Sequence, residues 1–162
     1  MKRREAIRSV VLISAGAAFL YQCREKAASI SLKQIPLTGA EQDMINELTE
    51  FIIPKTDFPG ANDLKTGDFV LMMADDLLSP EEQAKFEAGM KVFTGKGFVK
   101  MSPDERNEFV NALEGDAKTF YEMVKQGTIE NFTSSEKYLK EVRNVTDLIP
   151  SKFQACIPTP NS

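Results

Sequence analysis

The sequence predicts an all-α fold: a single compact domain of about six helices behind an N-terminal signal segment. Three observations carry this. Apolar residues recur at helical spacing through successive segments. Helix-start signals stand at Thr38, Ser79 and Ser102. No alternating run bounded by hairpin turns is present. The chain has 162 residues, 42% of them apolar, and a net charge of −4. That composition suits one ordinary core and excludes disorder as a global description.

The chain opens MKRREAIRSVVLISAGAAFLYQC. Lys2, Arg3, Arg4 and Arg8 form a basic region, and Val10 to Tyr21 form an uncharged run of twelve residues. A membrane-spanning helix needs about 20 apolar residues, so residues 1–23 read as a signal peptide or N-terminal anchor. The pair Arg3-Arg4 suggests the twin-arginine route, although Ala6 stands where a bulkier residue is usual. Cys23 opens a lipoprotein reading, against which Tyr21 and Gln22 are poor matches for small-residue positions. The first 23 residues carry four bases and one acid, so the remainder of the chain is at −7. An acidic body argues against nucleic acid as a partner.

Residues 24–37 are small and polar with no sustained period and read as a linker; 38–162 form the helical domain. Thr38 with Glu41 makes a capping box, Met44, Ile45, Leu48, Phe51 and Ile52 follow at helical spacing, and Pro54 ends the helix. Residues 54–67 are a loop by composition. Phe69, Met73 and Leu77 mark one face of a second helix. Ser79-Pro80-Glu81-Glu82 starts a third, with Phe86, Met90 and Phe93 inward and Gly95 and Gly97 at its end. Ser102-Pro103-Asp104-Glu105 starts a fourth, with Phe109, Val110 and Leu113. Phe120, Met123 and Val124 mark a fifth, expected to close at Gly127. A sixth covers roughly 135–144, with Tyr138, Leu139 and Val142 inward, and the proline-containing tail is irregular.

The chemistry available to such a chain is narrow. It has no His and no Trp, and its two cysteines, Cys23 and Cys156, lie far apart. Missing histidine removes the commonest general base, the commonest metal ligand and every Ser-His or Cys-His arrangement. No iron–sulfur or haem-attachment spacing can be built. Asp57, Asp63 and Asp68 around Asn62 admit a calcium reading, but EF-hand spacing is absent and Lys55 and Lys65 interrupt the cluster, so solvated loop acids fit better. Asp75 and Asp76 are neighbours and read as a surface helix face. The methionines read as core filler or as a pliable binding surface. Cys156 reads as inert or structural. No catalytic, cofactor-binding or metal-binding residue is assigned.

Two stretches are distinctive: IIPKTDFPGA, Ile52 to Ala61, and NFTSSE, Asn131 to Glu136. MMADDLLSPEEQAKFEAG stands between them and FQACIP near the end. In this order the chain resembles the small subunit of gluconate 2-dehydrogenase, subunit 3, over roughly residues 38–158. The resemblance implies a non-catalytic subunit beside a flavoprotein large subunit of the glucose–methanol–choline type. It implies FAD in that partner, a haem c in a third, cytochrome subunit, and work on sugars or sugar acids in the periplasm or at the membrane. It further implies help in exporting the folded flavoprotein through the twin-arginine machinery. The sequence departs from the family pattern after Ala61, where NDLKTG replaces the usual Ala-Gly-Val, and at Phe153, where Tyr is common.

The candidate partner interface comprises Pro54, Thr56, Asp57, Phe58, Pro59 and Gly60 with Phe132, Thr133 and Ser134. Pro54 and Pro59 each restrict φ, so the loop is stiff before a partner arrives. Phe58 at its tip is either an interface anchor or a cover over the end of the first helix. Two other functional classes stay open: a free-standing exported binding or assembly protein, and a carboxylate-based enzyme.

Overall fold

The computed structural model describes residues 27–145. Six α-helices are present among them: α1 Gly39–Ile52, α2 Thr66–Leu77, α3 Pro80–Gly95, α4 Pro103–Asn111, α5 Gly115–Ser134 and α6 Glu136–Glu141. Short 3-10 turns at Asn62–Leu64 and Phe98–Lys100 lead into α2 and α4. No β-strand occurs among the described residues; Ala27 and Thr38 form an isolated antiparallel bridge. None of the described helices is long and apolar enough to cross a membrane. The export residues Arg3 and Arg4, both cysteines and the proline-containing tail lie outside the described residues.

The three start signals all fold as capping boxes. Thr38, Ser79 and Ser102 each accept the amide of the Glu three residues on, and that Glu accepts the cap amide in return. Each cap satisfies two amides that the first helical turn leaves free. Pro80 and Pro103 occupy the first turn, where a missing N–H costs nothing.

α5 runs along the centre and packs against α1, α2 and α3. Phe120 of α5 and Phe86, Phe93 and Phe98 are fully buried, with Phe109 packed against them. Their rings meet edge-on: Phe86 to Phe120 at 4.9 Å, Phe93 to Phe120 at 5.1 Å and Phe93 to Phe109 at 4.9 Å between centroids. Edge-on contact sets the positive rim of one ring against the negative face of the next. Each fully buried Phe contributes roughly 1.5–3 kcal/mol.

The structure differs from the sequence expectation at four places. First, α5 does not close at Gly127 but continues to Ser134. A single Gly costs a helix only about 1 kcal/mol, and a Cβ on Gly127 would stand 3.2 Å from Val70 on α2. Second, the inward face of α2 is Val70, Leu71 and Ala74, while Leu77 is 68% exposed. Apolar side chains surround much of this helix, so the stripe alone did not indicate its orientation. Third, α6 is shorter than expected, and Val142, just past its end, stays 42% exposed instead of entering the core.

Fourth, Asp75 is not a surface residue; it is buried. Its carboxylate accepts the backbone N–H groups of Lys33 at 2.8 Å, Gln34 at 2.8 Å and Ile35 at 2.9 Å. Asp76 does face solvent, paired with Lys33. The irregular stretch 27–37 is therefore strapped to the body. Ile35 enters the core at 2% exposure, and Ser29 N–H donates to Gln42 Oε1, whose amide reaches Asp68.

Candidate partner interface

The loop after α1 is built around two carboxylates. Glu50, in the last turn of α1, accepts the amide of Lys55 through one oxygen and the amide of Asn62 through the other, both at 2.9 Å. Asp63 accepts the amide of Gly60 and the ammonium of Lys55, both at 3.1 Å. Ala61 N–H closes the loop onto Ile53 C=O at 3.0 Å. Gly60 is demanded by this crowding. A Cβ there would lie 2.5 Å from the Glu50 carboxylate and 2.7 Å from the Lys55 amide nitrogen. The Lys55 hydrogen bond, then the Gly60 amide, hold the Asp63 carboxyl below the usual carboxylate range.

With both ends tied, Thr56, Asp57 and Phe58 project outward. Thr56 Oγ1 accepts the Phe58 amide, and Thr56 N–H donates to Phe58 C=O. Phe58 is 46% exposed. Its inner side meets the end of α5 and the start of α6, where Phe58, Pro59, Phe132, Tyr138 and Val142 enclose a small apolar recess. The rings of Phe132 and Tyr138 stand 5.4 Å apart. Beside the recess lies a polar hollow of about 340 Å³, lined by Lys55, Asp57, Asp63, Lys137 and Glu141 among others.

The fold thus brings the two distinctive stretches to one end of the molecule. Thr66 Oγ1 donates to Asn131 Oδ1 at 2.9 Å, tying the start of α2 to the end of α5. Of the sequence-predicted residues, Pro54, Thr56, Asp57 and Phe58 are exposed, Pro59 and Phe132 are half-buried and Gly60 is buried. Thr133 and Ser134 are exposed, but their hydroxyls donate back to the carbonyls of Ile129 and Glu130 in their own helix. Phe58 neither seals a core nor stands free: it caps an aromatic cluster with one face open.

Sequence reasoning missed Glu50, Tyr138 and Lys137. Glu50 gave a faint signal as an acid four residues before a Pro-rich turn. Tyr138 gave one as an aromatic six residues after Phe132. The three loop acids do not converge: Asp57 points to solvent, Asp63 staples the loop and Asp68 bonds Gln42.

No match is found among curated proteins or solved structures. A family model described as Gluconate 2-dehydrogenase subunit 3 matches residues 39–148, a span holding the loop, the aromatic cluster and all six helices. The chain belongs to the gluconate 2-dehydrogenase subunit 3 family.

Proposed function

We propose that this chain is a non-catalytic accessory subunit of an envelope dehydrogenase that oxidises sugars or sugar acids. It docks on a flavoprotein large subunit of the glucose–methanol–choline type and steadies it. Its N-terminal segment, through Arg3 and Arg4, carries the folded pair along the twin-arginine route to the periplasm, where that segment or a lipid on Cys23 attaches it to the membrane. FAD and the redox chemistry belong to the large subunit, and a haem c to a cytochrome subunit.

The observation that carries this reading is Phe58 on its carboxylate-stapled loop, inside the span that places the chain in a family named for a subunit. A loop already ordered loses little entropy on binding, so modest contact area yields useful affinity. A half-open aromatic ring beside charged side chains is the usual composition of an interface hot spot with a polar rim.

The test is binding of the purified chain to the flavin-containing large subunit, followed by flavin absorbance in the complex. Phe58→Ala weakens binding by roughly 1–3 kcal/mol and leaves the chain folded. Undiminished binding by that variant removes Phe58 from the interface. Turnover by the isolated chain removes the accessory role itself.

A further inference from the structure

A second apolar surface lies between α2 and α5. Val70, Met73 and Leu77 of α2, Leu78 just past it, Phe86 of α3 and Met123 of α5 line an open groove of about 500 Å³. Leu77 is the most exposed of the large apolar side chains there, at 68%. A contiguous exposed apolar surface marks an interaction site.

Walls and rim limit what fits. α2 and α5 run antiparallel, since Thr66 bonds Asn131 and a Cβ on Gly127 would meet Val70. Both long walls are therefore helices whose interior backbone groups are already paired. An extended segment laid here would find no free amide or carbonyl to bond, and its own would stay unmet. A helix satisfies its own backbone and offers apolar side chains at every third or fourth position. The rim on the α5 side is acidic at both ends. Glu122, Gln126 and Glu130 stand four apart on α5, which puts them along one edge of the groove. The lining among the described residues holds no Lys or Arg. Gln126 Nε2 donates to Glu130 Oε1, while neither Glu122 nor Glu130 forms an ion pair among the described residues. The two carboxylates stand about 12 Å apart along the helix axis.

We propose that this groove receives an amphipathic helix of a neighbouring subunit, apolar on the face that enters and edged with Lys or Arg where it passes α5. An occupant of this kind presupposes that the chain works as one subunit among others, the reading given above. Length and charge set its pattern. Seven positions of a helix rise about 10 Å and return to the same face. Two bases at that spacing therefore lie on one flank, and their long side chains reach both Glu122 and Glu130. Apolar residues at i, i+3 or i+4, and i+7 then fill the space along Met73, Leu77 and Met123. Either chain direction satisfies the charges, because each end of the edge carries a Glu. Each of the six helices of this chain carries carboxylates of its own, so a second copy is the poorer match.

The experiment uses the full chain in its native membranes, with the photo-crosslinker p-benzoylphenylalanine placed in turn at Leu77 and at Gln126. Irradiation and peptide mapping should give cross-links from both positions to one segment of another subunit. That segment should show apolar residues at helical spacing and two Lys or Arg residues about seven positions apart. Glu122→Lys combined with Glu130→Lys should cut the yield several-fold. Both positions are exposed, and a melting curve matched to the parent shows that the double variant is folded. Cross-links to a second copy, to this chain's own residues or to a segment without that pattern overturn the proposal. Silence at both positions, or a yield that the double variant leaves unchanged, overturns it too. Flavin in the same purified material is read separately. Flavin without groove cross-links overturns the groove alone, whereas groove cross-links without flavin count against the flavoprotein reading and leave the groove standing.

Discussion

Asp75 shows how one side chain can fasten a segment that has no secondary structure of its own. Burial by itself would raise its pKa, but the three amide donors at residues 33–35 outweigh that and hold the carboxyl below its ordinary value. A carboxylate with a depressed folded-state pKa contributes stability that is complete above the unfolded value. That contribution is lost as pH falls through the folded one. Acidification below roughly pH 4 should therefore speed hydrogen exchange at the amides of Lys33, Gln34 and Ile35 before the helical core opens. Asp75→Asn should expose these amides at neutral pH and remove the acid-dependent step; unchanged protection in the variant would show that Ile35 burial alone holds the segment. Phe58 acts in the opposite sense, since it is presented rather than buried. Phe58→Ala should lower folding stability by about 1 kcal/mol or less, against about 3–5 kcal/mol for a core Phe. Thermal melts separate the two.

At the scale of elements, the most extensive helix contact among the described residues is α3 on α5, and it depends on an absent side chain. A Cβ on Gly89 would fall 2.2 Å from Cβ of Phe120 and 3.1 Å from the Asp116 carbonyl. Gly89→Ala must separate the two helices or displace Phe120 from its contacts with Phe86 and Phe93. The expected cost is roughly 1–3 kcal/mol, read as a lower denaturant midpoint with little change in slope. A variant as stable as the parent would show that the helices can re-space freely. The helices themselves were legible in the sequence because caps and periodicity are local: Thr38, Ser79 and Ser102 mark true starts, and Phe86, Met90 and Phe93 mark a true inward face. What stayed hidden depends on distant partners. Gly127 reads as a stop until Val70 is known to lie against it. Asp75 reads as surface until three amides forty residues earlier in the chain are known to reach it. The orientation of α2 could not be read because apolar residues lie on both its buried side and its exposed side. The methionines divide likewise: Met44 and Met90 fill the core, Met73 and Met123 line an open apolar groove between α2 and α5, and Met72 is exposed.

For the whole molecule, the sequence located the two stretches of the candidate interface but not their meeting, which needs the α5–α6 turn to return beside the α1–α2 loop. Glu50 gave only a faint signal for the same reason, since its hydrogen bonds to Lys55 and Asn62 are a property of the folded loop. Export belongs to this scale too. Replacing Arg3 and Arg4 by lysine keeps the charge of the N-terminal segment and should, on the proposed export route, retain the chain and any flavoprotein that depends on it in the cytoplasm. Normal periplasmic recovery of that double variant would leave only general secretion. The most direct measurement for the account as a whole is affinity capture of the tagged chain from native membranes, with flavin absorbance and sugar-oxidising activity read on what is eluted. The account predicts a flavoprotein in stoichiometric amount, carrying all the activity, and recovered in smaller yield with Phe58→Ala. An eluate free of flavin, or activity that stays with the chain when the flavoprotein is stripped away, would contradict it.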